Sequence, residues 1–347
     1  MKIVCIGDTL LTAEMMRQGV EKFPRYTAAE YFTIGPSVRD ELRTFVKKME
    51  TQGFDFIPLG EEVYTALNDA EVLQVHLAPV PARVFREAKE LKLIISNRGG
   101  IENIDIKTAT ERNIPVLCNP AHNANAVAEM TIGLMIAETR NIARNHLSLM
   151  CDRKWYEFPP NAGRIHEMCS MTVGIVGYGM IGILVAALLA PFRCRVLVYD
   201  PYVTQDMAVG NNVALVPVLE ELLEQSDIVS LHARVSEETR GMIGEAQLAK
   251  MKKTAVLINT ARSALIDMDA LYCTLKERGI TGAAIDVFPT EPLPADSPLL
   301  ELDNITLTCH KGGDTVESYC DSPAMVLEQG ENYFQNKPVR FWVNRFS

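Results

Sequence analysis

The chain has 347 residues, enough for about two domains, and 48% of them are hydrophobic, an ordinary share for a globular protein with sizeable cores. Its formal net charge is −10 with no basic tract, which argues against nucleic acid or an anionic membrane surface as a partner. No apolar run approaches the ~18 residues of a membrane span, and the eight cysteines show neither C-x-x-C nor Cys/His metal spacing, so no metal site is expected and reduced thiols in the cytoplasm are.

Residues 2–6 read as a first strand, broken by Gly7 and Asp8, and not as a signal peptide. A helix is predicted over 12–22. Up to about residue 118, short apolar runs at 31–34, 56–59, 72–76, 91–96 and 116–118 alternate with helical patterns such as 41–50. That alternation predicts an α/β unit with a parallel sheet. The run 91–96 leads into Asn97, Arg98, Gly99 and Gly100, where two adjacent glycines offer backbone amides to an anion. The connector 119–123 precedes a strongly helical stretch from 124 to about 149, read as one long helix.

Residues 171–201 are the most informative stretch. A buried strand is predicted over 172–176, followed by Gly177, Gly179 and Gly182 in G-x-G-x-x-G spacing, a helix, and a second strand over 195–199 ending in Asp200. Gly177 permits the tight turn, Gly179 lets the backbone approach a pyrophosphate, and Gly182 lets the helix lie close on the strand. The helix N-terminus then faces the phosphates. Asp200, about 20 residues after the first glycine, accepts hydrogen bonds from ribose hydroxyls and repels a 2′-phosphate, which selects NAD over NADP.

The alternation continues beyond, with strands predicted over 228–232, 255–259, 282–286 and 304–309 and helices over 218–223, 245–251, 268–278 and 322–335. Arg262, Glu291 and His310 each sit just past a strand end, where α/β folds place ligands. Together they suit a site for a hydroxy acid. Arginine is a planar fork for a carboxylate and a carbonyl oxygen, histidine exchanges the hydroxyl proton, and a carboxylate orients the imidazole.

These segments, SNRGGIENID, NP-x-x-NA-x-AVAE, TVGIVGYGMIG, LHARVSEETRGMIG, INTARSALID, GAAIDVFPTEPLP and TCHKGG, resemble the NAD-dependent D-isomer-specific 2-hydroxyacid dehydrogenases, in the phosphoglycerate and glycerate dehydrogenase branch. The resemblance covers nearly the whole chain. It implies an oxidoreductase that moves a hydride between NAD(H) and C2 of a D-2-hydroxy acid or 2-keto acid. Arg262, Glu291 and His310 are the implied catalytic set, with Arg262 on the substrate carboxylate and C2 oxygen. Arg98, Gly99 and Gly100 hold the carboxylate's other side. The implied cofactor contacts are Gly177, Gly179, Met180, Ile181, Gly182, Asp200, Ala233, Thr260 and Asp286, the last on the nicotinamide carboxamide.

The implied fold is two Rossmann-like domains with parallel sheets, one flavodoxin-like and one NAD-binding, separated by a deep cleft. Residues 1–118 and 309–347 form the substrate domain and 119–308 the NAD domain. The helix from 124 joins them and contributes to a homodimer. Cys309 replaces a usual proline, and Lys311-Gly312-Gly313 the usual Ile-Ala-Gly. Proximity to an imidazole could activate the Cys309 thiol. Arg98, Arg234 and Lys311 suggest a substrate with a second anionic or hydroxyl-rich group, phosphorylated or sugar-derived. The C-terminal regulatory domain of some relatives is not expected. A different class remains open, a non-enzymatic NAD(H)-sensing co-regulator of the same fold, and so does phosphite oxidation. Formate oxidation is disfavoured by Glu291, where formate enzymes carry glutamine.

Overall fold

The structure, a computed structural model, describes residues 1–120, 122–156, 159, 161–204, 207 and 213–345, less the side chains of Arg39, Asp40 and Arg43. The chain forms two compact units, Met1–Asn123 with Thr315–Ser347, and Ala124–Asp314. The crossings thus fall near 123 and 314, which sets His310 in the second unit.

In the first unit, β1 (Lys2–Gly7), β2 (Ala28–Thr33), β3 (Val72–Val75), β4 (Leu93–Ser96) and β5 (Val116–Leu117) form a parallel sheet in the order β2-β1-β3-β4-β5. Strands β3 and β4 are buried at every position, which is why they read as unbroken apolar runs. The run 56–59 does not become a strand. It follows a 3₁₀ turn, Gly53–Asp55, and Phe56 instead packs with Leu42 and Met49 in a small separate cluster, its ring edge-to-face with Phe45.

The second unit holds β6 (Thr172–Val176), β7 (Arg195–Tyr199), β8 (Val213–Leu215), β9 (Ile228–Leu231), β10 (Val256–Asn259), β11 (Gly282–Ile285) and β12 (Ile305–Leu307). They form a parallel sheet in the order β12-β11-β10-β9-β6-β7-β8. Strand β8 has no counterpart among the sequence expectations, being a short, half-buried strand beside β7. The chain runs outward from β6 in one direction and from β9 in the other. The β6/β9 boundary is therefore the topological switch point, where such sheets open a crevice beyond their carboxyl ends.

The long helix expected from 124 to 149 is interrupted. It runs Ala124–Thr139, Asn141 takes a left-handed conformation (φ 57°), and a second helix covers Ile142–Leu147. Asparagine is among the few residues that adopt this conformation readily. Here it is held by its side-chain amide donating to Asn161 Oδ1 (2.7 Å), while Asn161 Nδ2 donates to the Thr139 carbonyl (3.1 Å). Just before the break, the buried Glu138 carboxylate accepts from Arg144 Nη2 (2.5 Å) and from Thr306 Oγ1 (2.7 Å), tying the helix to β12. Helical periodicity carries no sign of this break, because the break depends on partners 20 residues and more away.

At the switch point, His232 follows β9 directly and its amide donates to the Val176 carbonyl at the end of β6 (2.7 Å). Its Nε2 lies 2.9 Å from Ser230 Oγ, and its Nδ1 is buried with no hydrogen-bond partner. Burial pushes this imidazole down to about 4, so the folded protein keeps it neutral. The unfolded chain takes up a proton near pH 6.5 that the folded chain refuses until about pH 4. The contribution is therefore complete above pH 6.5 and is lost as pH falls through that window, on the order of 3 kcal/mol in all. Urea unfolding of wild type and His232→Gln across this range checks the assignment. The variant should show a shallower acid loss, and identical slopes would remove His232 as a source of acid sensitivity.

Candidate active site

The glycine-rich turn forms where β6 ends. Gly177 sits at φ 92° with its amide donating to the Tyr199 carbonyl (2.9 Å), and a Cβ there would stand 2.5 Å from the Ala233 nitrogen. A Cβ on Gly182 would collide with the Gly177 carbonyl oxygen. Both positions need glycine because backbone meets backbone. Gly179 has open space where its Cβ would be. The helix Met180–Leu189 that begins there has no side-chain cap, so its first amides, those of Met180 and Ile181 among them, are free to face an anion.

Asp200 at the end of β7 reaches back to this turn. Its Oδ2 accepts from the Tyr178 amide (2.8 Å) and its Oδ1 from the Tyr202 amide (2.9 Å). The carboxylate is thus fixed beside the glycines, with lone pairs to spare for hydroxyl donors. Turn, uncapped helix and acidic strand end together fit a dinucleotide with a free 2′-hydroxyl.

Three further strand ends face the same edge of this sheet. Ala233 follows β9, packed on Gly177. Thr260 follows β10, and its hydroxyl meets that of Thr131 on the helix Ala124–Thr139 (2.7 Å). Asp286 follows β11 and is buried, with Oδ1 accepting from Thr308 Oγ1 (2.5 Å) and the Lys311 amide (3.0 Å), and Oδ2 from the Gly312 amide (2.8 Å). This carboxylate clamps the turn 308–312 around itself.

His310 lies within that clamped turn at φ 52°, a conformation that costs a non-glycine residue roughly 1–3 kcal/mol unless its surroundings enforce it. The bonds to Asp286 on either side of it supply that enforcement. Its Nδ1 lies 2.7 Å from Glu291 Oε2, while Glu291 Oε1 accepts from the Phe288 amide (2.9 Å). The imidazole is 47% exposed and Glu291 33%. A carboxylate at Nδ1 makes that nitrogen the donor and leaves Nε2 for proton exchange with an outside group.

Arg262 is exposed after β10. Its turn is shaped by the buried Asn259, whose Nδ2 donates to the Arg262 carbonyl (3.0 Å) and whose Oδ1 accepts from the Ala261 amide (3.0 Å). The guanidinium Nη1 donates to the Ala261 carbonyl (2.7 Å) and bonds to neither Glu291 nor His310. The structure thus brings Glu291 and His310 into direct contact and leaves the arginine fork open. Lys311 is paired with Asp314, so it is not a free cation, and Cys309 is exposed. Among the described residues no group of side chains is arranged to hold a metal ion.

In the first unit, Arg98, Gly99 and Gly100 follow β4. The Arg98 carbonyl accepts from the Asn119 amide (2.9 Å), while the amides of Gly99 and Gly100 donate to nothing among the described residues. They keep the anion-binding capacity that their adjacency suggests. Asn259, Thr308 and Thr131 are the positioning residues that motif reading passed over. Asn259 and Thr308 stand at strand ends beside residues already singled out, and that placement was the available signal.

Residues 132–312 match the family described as "D-isomer specific 2-hydroxyacid dehydrogenase, NAD binding domain". The chain is 39% identical over 285 residues to D-3-phosphoglycerate dehydrogenase of Methanocaldococcus jannaschii, a match covering 82% of this chain and 53% of that protein. It is 39% identical over 273 residues to glyoxylate reductase of Korarchaeum cryptofilum, covering 78% of this chain and 82% of that one. The chain thus spans about half the length of the first relative and most of the second. In fold it is similar to the NAD-complexed D-isomer specific 2-hydroxyacid dehydrogenase of Lactobacillus delbrueckii ssp. bulgaricus, with a TM-score of 0.79 at 23% identity over 99% of this chain and 100% of that one. A glycine turn closed by Asp200, a histidine held by a glutamate, and these relatives agree: this chain belongs to the D-isomer-specific 2-hydroxyacid dehydrogenase family.

Proposed function

We propose that this protein interconverts a D-2-hydroxy acid and the corresponding 2-keto acid, with NAD as the redox partner. The observation that carries the reading is the 2.7 Å contact between His310 Nδ1 and Glu291, in the same unit as a glycine turn that accepts a dinucleotide. When bound, NAD would supply a hydride acceptor, or in its reduced form a hydride donor, at the nicotinamide. The protein's own groups do the rest. During oxidation His310 Nε2 takes the proton of the C2 hydroxyl, and Glu291 balances the charge that the imidazole acquires. During reduction the same nitrogen gives that proton to the C2 oxygen. Arg262 supports the substrate carboxylate and the polarised C2 oxygen with its fork of donors. The uncapped amides of the helix Met180–Leu189 would hold the pyrophosphate, Asp200 the ribose hydroxyls, and Asp286 the carboxamide.

The substrate side is assigned to Arg98, Gly99 and Gly100 in the first unit. A phosphorylated or sugar-derived hydroxy acid is favoured, and one of the matched relatives is a D-3-phosphoglycerate dehydrogenase. The protein is placed in the cytoplasm, consistent with eight free thiols, four of them exposed. We assign it to homodimers, because Leu147, Leu149, Met150 and Trp155 (78% exposed) are exposed apolar side chains at and after the end of the broken helix, which a second copy would cover.

NADH consumption against pyruvate, glyoxylate, hydroxypyruvate and 3-phosphohydroxypyruvate tests the activity. Turnover of at least one is expected, with His310→Gln slower by two orders of magnitude or more while still binding NADH. Near-normal turnover by that variant would remove the histidine from proton exchange. Silence of the wild type across a wide panel, with NADH bound, would favour the NAD(H)-sensing co-regulator. Asp200→Ala should weaken NADH binding at least tenfold with little change in melting temperature, and unchanged affinity would sink the ribose contact. Sedimentation of Trp155→Glu should show monomers where wild type shows dimers; equal mass for both would move the interface elsewhere.

A further inference from the structure

The second unit carries a cavity of about 340 Å³ at the edge of its sheet opposite the glycine turn. Its lining comes from three places: the end of the helix Ala124–Thr139, residues 166–169 ahead of β6, and residues 191–193 ahead of β7. The parallel pairing of β6 and β7 sets the last two segments side by side at the amino ends of these strands, whereas Gly177 and Asp200 stand at the carboxyl ends. A strand of five residues, roughly 16 Å long, therefore separates the cavity from the dinucleotide turn. Its volume falls within the roughly 300–1,000 Å³ of small-molecule pockets.

The lining divides by chemistry. Ile136, Met168 and Phe192 are half-buried and apolar, and Thr139 beside them is buried with its hydroxyl spent on the Met135 carbonyl (2.8 Å). Arg140, His166 and Arg193 are exposed. Basic residues at helix ends ordinarily cap the last carbonyls. Here those carbonyls are already taken: that of Ile136 by the Arg140 amide (2.9 Å), that of Thr139 by Asn161 Nδ2 (3.1 Å), and that of Ala190 by the Arg193 amide (3.0 Å). Neither guanidinium nor the His166 ring has a hydrogen bond or ion pair among the described residues. Glu167, the one carboxylate among the described lining residues, accepts from Cys169 Sγ (3.6 Å) and pairs with neither arginine. Arg193 also sits at φ 58°, so a long cation occupies a backbone position suited to glycine.

We propose that this cavity binds a small organic anion with an apolar body, a carboxylate or phosphate monoester on an aromatic or short aliphatic frame, with Arg140 and Arg193 holding the anionic end. Two guanidinium forks with unfilled donors face one carboxylate, which leaves the cavity cationic. The half-buried side chains take the apolar body out of water, and His166 offers a further ring N–H. Charge selects against a neutral molecule, and apolar burial selects against inorganic phosphate. The site is separate from the dinucleotide turn, so both can be filled at once, and it does not rest on the activity proposed above.

Calorimetric titration of the full chain with phenyl phosphate, with and without saturating NADH, tests the assignment. Binding is expected in both conditions. Inorganic phosphate and benzyl alcohol, which each carry half of the ligand's chemistry, should bind about tenfold more weakly or less. Arg193→Gly should weaken phenyl phosphate about tenfold or more, as loss of a charge-assisted hydrogen bond implies. Glycine suits the backbone there, so this variant keeps its fold should Arg140→Gln, expected to weaken binding comparably, fold poorly. NADH affinity should be unchanged in both variants. Phenyl phosphate displaced by NADH would lie in the dinucleotide site and overturn the cavity, as would an affinity that both substitutions leave unaltered. No binding of phenyl phosphate, or equal binding of inorganic phosphate, would overturn it as well. Should NADH itself fail to bind, the proposed activity falls, while the two substitutions still decide the cavity.

Discussion

The dinucleotide-binding half of this protein depends on backbone meeting backbone at the boundary between β6 and β9. Gly177 lies against Ala233, and Gly182 against the Gly177 carbonyl, with no room for a side chain at either place. This close packing brings the end of one strand, the start of the next connection and the first turn of the helix Met180–Leu189 to one point. Free helix amides and the Asp200 carboxylate then converge there. A chain with net charge −10 can bind a polyanion in this way because the attraction is local: oriented dipoles act over the first helical turn, whatever the overall charge.

The turn that carries His310 is arranged by a different means. Asp286 is buried and takes three donors, two of them backbone amides from the turn that contains His310. The turn is bent around a charge that cannot leave, and His310 is presented at a left-handed φ with Glu291 on its inner nitrogen. A one-residue displacement of this turn would separate the imidazole from its carboxylate. Asn259 does comparable work for Arg262, fixing the backbone of the turn while the guanidinium is held by no carboxylate among the described residues. Reactive side chains are thus exposed, and the groups that aim them are buried.

The two carboxylate–histidine pairs show what burial does to one chemical motif. His310 and Glu291 are both substantially exposed, so the imidazole is open to a group from outside. His76 and Asp8 are almost wholly enclosed, their side chains 8% and 0% exposed.

Much of this was legible in the residues themselves. Parallel strands buried along most of their length are mainly apolar runs, so β6 and β7 are recognisable to the residue, and the spacing of Gly177, Gly179, Gly182 and Asp200 follows from local covalent geometry. The strand-end positions of Arg262, Glu291 and His310 follow from the alternation of helix and strand. What the sequence could not determine depends on groups distant along the chain. The helix breaks at Asn141 because Asn161 and Thr139 hold it there, and β8 exists because β7 offers it an edge. The run 56–59 lost its strand to packing against Leu42 and Met49. His76 gave no signal at all in sequence: a lone histidine at the end of an apolar run is ordinary, and only the sheet order that sets β1 beside β3 supplies the carboxylate that orients it. Local geometry is written in local sequence, but a partnership between side chains 68 residues apart is decided by the strand order.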